Sequence, residues 1–329
     1  MVRAARIVSA ISKSNIRQLR LYAKTSMTPS QKAGILAEAL PYLRAFHGKT
    51  LVIRFGGNAM ANPALKDGFA RDVALLRLVG MKPIVVHGGG WGIDELMKQM
   101  GHESKRYRGH RITDEATLNI VEMALSELNQ ELTSLINRHG GRAVGLDGQD
   151  GRFIRARPMA RPTDDPEAPD LGYLGDVESI DVGLIELLLS RNFVPVVMPI
   201  GVADDGTTYH INSDILAGRI ARALEAEKLV LMTNIAGVQG RDGKLAHILT
   251  ASEAEALLSD HVVHGGMEPR VIAALRAVRE GVRSVHIIDG GVPSALLLEV
   301  LTAEGVGTAV RSDAGPRFIE NSREYLLEN

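Results

Sequence analysis

The 329-residue chain has no cysteine, which excludes disulfides and thiolate chemistry and fits a reducing compartment such as the cytoplasm. It has almost no net charge, −1 with histidines neutral, and therefore no global attraction to nucleic acid or to an anionic membrane surface. No apolar run approaches the roughly 20 residues that span a bilayer. Neither standard nucleotide fingerprint is present. The run Gly88 to Gly92 does not space its glycines as G-x-G-x-x-G, and Gly243-Lys244 is followed by leucine with no glycine five residues earlier.

Acids are missing from the start of the chain. Arg3, Arg6, Lys13, Arg17, Arg20, Lys24 and Lys32 all precede the first acid, Glu38, with serines between them. This is the composition of an organellar transit peptide, and equally that of a basic extension or of a start site placed too early. From residue 29 to 46 the apolar positions Ile35, Leu36, Leu40, Leu43 and Phe46 share one helical face, so an amphipathic helix is expected there, in need of a partner surface.

What is present beyond Thr50 is a regular alternation of apolar strands and amphipathic helices, on a chain that is 45% hydrophobic. Such alternation predicts an α/β fold with a mostly parallel sheet covered on both faces. Strands are expected at 50–55, 83–87, 142–146, 153–155, 173–178, 193–197, 228–232, 284–288 and 307–311. Helices are expected from Asn62-Pro63 to Gly80, then at 93–100, 114–140, 180–190, 214–224, 252–258, 267–280 and 293–303. Residues 102–113 read as a loop or short hairpin, 148–170 as a surface excursion, and Gly201 to Gly206 as a seam between two lobes.

Two glycine-rich turns carry the chemistry. Arg54-Phe55-Gly56-Gly57-Asn58 and Val86-His87-Gly88-Gly89-Gly90-Trp91 each stand where a strand hands over to a helix. Glycine lets backbone approach a ligand, and the free N–H groups opening the next helix present a positive dipole end to an anion. Three consecutive glycines at the carboxyl end of a parallel strand cost stability unless backbone must come close to something.

In order and spacing, Phe55-Gly56-Gly57-Asn58, His87-Gly88-Gly89-Gly90, Arg111-Ile112-Thr113-Asp114, Asn212-Ser213-Asp214, Met232-Thr233-Asn234-Ile235-Ala236-Gly237-Val238 and Gly265-Gly266-Met267 resemble the amino-acid kinase family. Within it they resemble the members that phosphorylate the side-chain carboxylate of N-acetyl-L-glutamate in arginine synthesis. The resemblance runs from about residue 29 to 312. It implies a three-layer α/β/α sandwich and a chain arranged as a basic extension at 1–28, an oligomerisation helix at 29–47, an acyl-amino-acid lobe at 48–200, a nucleotide lobe at 201–312 and a tail at 313–329.

The same resemblance implies ATP and Mg²⁺ as cofactors, N-acetyl-L-glutamate or a related acidic molecule as substrate, and no resident metal. Gly56, Gly57 and Gly88 to Gly90 would hold the transferring phosphoryl group by backbone N–H contacts, and Thr233, Asn234, Gly237 and Val238 would line the nucleotide pocket. Gly89, Gly90, Arg111, His210 and Asn212 would hold the substrate, with the planar fork of Arg111 suited to a carboxylate. Asp214 would organise the cations, Arg54 and Arg270, around the phosphates.

The chain also departs from the family. Arg54, Arg106 and Arg270 stand where the family has lysines, His210 where it has an asparagine, and Trp91 where it has a proline. Arginine keeps the charge but is longer and planar, so the exchange is not conservative at a tight site. Three functions follow: a working kinase, a non-catalytic arginine-sensing subunit, or a kinase for another carboxylate or carbamate. His286, Glu299 and Gly305 resemble the L-arginine site of feedback-inhibited members. Those members use a helix like 29–46 to build oligomers, so a dimer or hexamer is expected.

Overall fold

The computed structural model describes residues 28–161, 165, 167–303 and 305–313. The expected leader and tail therefore lie outside the described residues, save Thr28 and Asp313. The chain divides into two compact units, one ending at Pro41 and the other running from Tyr42 onward. The first consists, as described, of most of helix α1 (Pro29–Phe46). Thr28 and Gln31 start that helix with a reciprocal capping box, the Thr28 hydroxyl accepting from Gln31 N (3.2 Å) and the Gln31 carbonyl oxygen from Thr28 N (2.8 Å). Ile35, Leu36 and Leu40 are exposed along it.

The second unit begins with β1 (Thr50–Phe55), a 3-10 turn over Gly57–Ala61, α2 (Pro63–Leu78) and β2 (Lys82–His87). α2 starts where expected because Asn62 accepts hydrogen bonds from Ala64 N and Leu65 N and proline occupies the first helical position. Then come α3 (Gly90–Gln99), a hairpin of β3 (Arg106–Tyr107) and β4 (His110–Arg111), α4 (Glu115–Arg138) capped by Asp114, and β5 (Ala143–Leu146). The following strands are β6 (Ile154–Pro158) and β7 (Leu174–Ile180), then α5 (Gly183–Ser190), β8 (Val194–Val197), β9 (Ile200–Val202) and β10 (Thr208–Ile211). The chain continues through α6 (Ser213–Ala223), β11 (Lys228–Thr233), β12 (Ile248–Thr250), α7 (Ala251–Ser259), α8 (Glu268–Arg279), β13 (Ser284–Asp289), α9 (Ala295–Leu301) and β14 (Thr308–Arg311).

Eight strands form one sheet in the order β12-β14-β13-β11-β1-β2-β8-β5. All neighbours pair parallel except β13 with β14. β1 lies near the middle, and its run Leu51, Val52, Ile53, Phe55 is wholly buried because helices cover both faces. Val52 joins Ile84, Leu216, Ile220, Val271 and Leu275 in one core, whereas Leu51, Ile53 and Phe55 join Phe69, Val73, Leu132 and Val300 in the other. This is the expected α/β/α layering. Period two along β1 also sends Arg54 to the face covered by α6 and α8.

Three short strands were not expected from the sequence. β12 is only three residues long, and β9 and β10 close β6 and β7 into a small barrel where 148–170 and Gly201 to Gly206 read as excursion and seam. Thr208-Tyr209-His210 carries no apolar run, so only pairing with β7 and β9 makes it a strand. Helix α3 begins three residues earlier than the expected 93, at Gly90 itself, because glycine's poor helix propensity hides the start.

Between α2 and the approach to α9 lies a cavity of about 200 Å³ lined by Leu65, Phe69, Asp72, Met232, Pro293 and Ser294. Burial pushes the Asp72 carboxyl up to about 6, outweighing the Arg71 charge and the Ser294 hydroxyl, which donates to it across 3.4 Å. A carboxyl with a raised folded-state pKa binds more protons folded than unfolded between about pH 4 and 6, so stability falls across that window and the penalty is complete above it. Asp72→Asn should therefore raise the melting temperature at pH 7.5 by about 2–4 °C and by much less at pH 4, read by thermal unfolding at both pH values.

Candidate active site

β1, β2 and β11 run parallel, so their carboxyl ends open at one edge of the sheet. Phe55 pairs with His87 at the ends of β1 and β2, and Gly88 N donates to Phe55 O at 2.8 Å, tying the two glycine turns together. The turns are sterically committed to glycine. A Cβ on Gly89 would lie 2.5 Å from the Leu125 side chain, and one on Gly57, whose φ is +77°, would lie 2.2 Å from Asn234 Oδ1. The same Asn234 oxygen accepts from Asn58 N, so the loop after β11 is stitched to the first glycine turn.

Arg54 curls back beneath Gly56, where a Cβ would meet Arg54 Nη1 at 1.9 Å. Its Nη1 donates to Met232 O (3.1 Å) and its Nε to Ser213 Oγ (3.1 Å), while Asp214 Oδ1 lies 2.8 Å from Nε as an ion-pair partner. Arg270 Nη1 lies 3.1 Å from the other oxygen, Asp214 Oδ2. One buried carboxylate thus stands between two guanidiniums. Burial lowers the Arg54 pKa; the Asp214 charge opposes that and the Arg270 charge adds to it. Arg270 Nε is buried without a hydrogen-bond partner, a donor available to an anion.

A second group surrounds Arg111 on β4. Its Nη2 lies 2.7 Å from Asp94 Oδ1, and its Nη1 donates to Ser104 Oγ and to Met97 Sδ. Arg106 Nη2 reaches Asp94 Oδ2 at 3.0 Å. One arm of the fork expected to grip a substrate carboxylate, Nη2, is held by Asp94, one turn into α3, and the other by Ser104 and Met97. Facing these charges is His210, whose Nδ1 is buried without a partner. Burial first, then Arg111 and Arg106, push its pKa down to about 4, so the ring is neutral.

Several expected residues have structural tasks of their own. Asn212 caps α6, accepting from Asp214 N at 2.8 Å and Ile215 N at 3.3 Å. Thr233 Oγ1 closes the turn after β11 on Ile235, and Val238 is fully buried, its N–H donating to Thr308 Oγ1 at 2.8 Å. By contrast, the N–H groups of Gly89 and Gly90 donate to no protein acceptor among the described residues. Trp91 is exposed in the first turn of α3.

The residues resembling an effector site also come together, at the opposite, amino-terminal end of β11. His286 Nδ1 lies 2.5 Å from Glu299 Oε1, and His286 Nε2 lies 3.1 Å from Lys228 Nζ. Glu299 Oε2 accepts from Val306 N and Gly307 N, and Gly305 turns at φ +63°. Burial would raise the Glu299 pKa, but the His286 hydrogen bond and charge, the Val306 N–H and the Lys228 charge hold it below the usual range. Burial and the Lys228 charge push His286 down to about 4.

Asp94, Ser213 and Lys228 were not singled out from the sequence. Ser213 lay inside a motif already noted, but its contact with Arg54 joins residues 159 positions apart, which spacing alone does not reveal.

A profile of the amino acid kinase family matches residues 49–289. The chain is 55% identical over 284 residues to the acetylglutamate kinase of Chromobacterium violaceum, covering 86% of this chain and 98% of that protein. It is 53% identical to the acetylglutamate kinase of Nitrosomonas eutropha, covering 88% and 99%. Among solved structures it resembles the N-acetylglutamate synthase of Neisseria gonorrhoeae complexed with coenzyme A and N-acetyl-glutamate, with a TM-score of 0.76 and 27% identity over 86% of this chain and 64% of that one. The carbamate kinase of Giardia lamblia bound to AMP-PNP shares the fold, with a TM-score of 0.62 and 18% identity over 81% of this chain and 99% of that one.

Asp214→Ala leaves Arg54 buried without its counter-charge and should cost on the order of 3–5 kcal/mol in urea unfolding. Adding Arg54→Met should recover part of that loss, since both charges are then gone; a double variant as unstable as the sum of the single variants would contradict the pairing.

Proposed function

The chain belongs to the amino acid kinase family, and from that membership we propose that it is a kinase that uses ATP to phosphorylate the side-chain carboxylate of N-acetyl-L-glutamate in arginine biosynthesis. The observation that carries this reading is the Arg54–Asp214–Arg270 cluster beneath two glycine turns whose Gly89 and Gly90 N–H groups are unpaired, on a chain 55% identical to an acetylglutamate kinase. ATP, with Mg²⁺ carried on its phosphate oxygens, supplies the phosphoryl group. The protein supplies placement and charge, which suffice for phosphoryl transfer because the acceptor carboxylate is already ionised.

In this reading the glycine N–H groups cradle the moving group and Arg54 Nη2, which lies toward Gly88, meets it from below. Arg270 adds its free Nε from the nucleotide side. Asp214 keeps both arginines aimed, and residues 201–312, with Thr233, Asn234 and Gly237, form the nucleotide lobe. Arg111 in the 48–200 lobe, and the unpaired Nδ1 of His210 on β10 of the small barrel, receive the substrate's α-carboxylate and acetamido end, with Asp94 holding the arginine ready.

Regulation and assembly complete the proposal. L-arginine binds at Glu299, competing with His286 and Lys228 for its carboxylate; an N-acetylglutamate synthase from Neisseria gonorrhoeae, 27% identical, has been solved with coenzyme A and L-arginine. The exposed Ile35, Leu36 and Leu40 of α1 join copies of the chain into a dimer or hexamer. No helix among the described residues is long and apolar enough to cross a membrane, and the bacterial relatives lend the organellar reading of the leader no support, so we place the protein in the cytoplasm.

Purified protein should release ADP from MgATP only when N-acetyl-L-glutamate is present, measured in a coupled assay; silence at high enzyme concentration would favour the sensing-subunit reading, and turnover with another acid the altered-substrate one. Arginine should suppress the turnover, and Glu299→Gln should raise the half-inhibiting concentration at least about tenfold, since a charge-assisted contact is lost.

A further inference from the structure

His87 closes β2 with its ring fully buried, and the proposed chemistry leaves it unused. Its Nδ1 lies 2.8 Å from the carbonyl oxygen of the next residue, Gly88, and its Nε2 lies 3.1 Å from Asn129 Nδ2 on α4. The same Asn129 Nδ2 lies 2.8 Å from Val196 O on β8, so it is the amide nitrogen of Asn129 that faces both groups. A carbonyl only accepts and an amide NH₂ only donates. The imidazole is thereby fixed with its proton on Nδ1, donating to Gly88 O, and its lone pair on Nε2, accepting from Asn129. Burial, reinforced by the Arg54 charge, lowers its pKa to about 4 and keeps the ring neutral.

Asn129 has its own seat. Its Oδ1 occupies the space above Gly145 on β5, 2.1 Å from where a Cβ would stand, and one turn earlier on the same helix Leu125 packs against Gly89. The peptide between Gly88 and Gly89 is trans, so its carbonyl and its N–H point in opposite directions. With the carbonyl held by His87, the Gly89 N–H must face away from the ring. That N–H is one of the two in the turn with no protein acceptor among the described residues.

We infer that His87 and Asn129 are positioning residues that fix the Gly88–Gly89 peptide so that the Gly89 N–H is presented to the transferring phosphoryl group. The inference rests on the proposed reading of the triple-glycine turn as the phosphoryl cradle. A flipped peptide would offer a carbonyl oxygen to an anion in place of a donor, and the histidine bond selects against that flip.

The test is steady-state kinetics of the full-length protein with MgATP and N-acetyl-L-glutamate. His87→Leu should lower kcat by on the order of 10²–10³, as removal of one oriented donor does, with KM for either substrate within about threefold of the unaltered protein. His87→Asn places an amide donor where Nδ1 stood and should recover kcat to within about tenfold. Asn129→Leu should cost about tenfold alone and nothing further on top of His87→Leu, because the two act as one unit. If His87→Leu does not fold, His87→Asn and Asn129→Leu still decide the matter: a wild-type kcat in Asn129→Leu, or no activity in a folded His87→Asn, overturns the inference.

A second readout separates this inference from the assignment of the reaction. With ¹⁵N-glycine labelling, the Gly89 amide resonance should shift on addition of MgATP and fail to do so in His87→Leu. Absent turnover in the unaltered protein would refute the proposed reaction while a His87-dependent Gly89 shift would still support the positioning role; a shift that survives His87→Leu overturns it.

Discussion

One carboxylate holds the site together. Asp214 lies 2.8 Å from Arg54 and 3.1 Å from Arg270, and without it two cations would share a buried space with nothing between them. Each contributor comes from a different part of the chain: Arg54 from the centre of the sheet, Asp214 from the first turn of α6, Arg270 from the first turn of α8. The Asn212 cap sets where α6 begins and therefore where Asp214 stands. The arginine pair is thus a property of how α6 and α8 pack on β1 and β11, and any shift of those helices is a shift in the charge offered to a ligand.

The sequence revealed the alternation of strands and helices, because apolar stretches such as Leu51 to Ile53 and Pro83 to Val86 stand just ahead of glycine-rich turns. It revealed the glycine turns for the same reason. It hid β9, β10 and β12, which exist only through pairing, and it hid the inside of the site. That Asp94 and Ser104 hold the Arg111 fork and that Asn212 is a cap are facts of side-chain direction, which spacing does not carry. The identities of Arg54 and Arg270 were legible; that Arg54 bends under Gly56 to reach Met232 O was not, since that bond joins residues 178 positions apart.

Two buried nitrogens of the proposed site have no protein partner among the described residues. They are His210 Nδ1 and Arg270 Nε; Asp214 Oδ1 also makes no hydrogen bond but is ion-paired with Arg54 Nε at 2.8 Å. A buried nitrogen without a partner is costly unless a ligand supplies one, which the proposed substrate and nucleotide would do here. The Lys228–His286–Glu299 chain is the opposite case. It is internally satisfied, so anything that binds there has to exchange one set of charge-assisted bonds for another.

The position of β1 has a consequence for synthesis. It is the first strand among the described residues, yet one of its two neighbours, β11, pairs Val230 with Ile53 and is made long afterwards. Until then the β11-facing edge of β1 presents unpaired backbone groups, in a strand whose side chains are almost all apolar. Contacts so distant in sequence make for slow closure of the sheet. The nascent chain therefore carries an open, adhesive edge while the residues between β1 and β11 are being made, and the later part of the fold acts on the earlier as the cover that seals it.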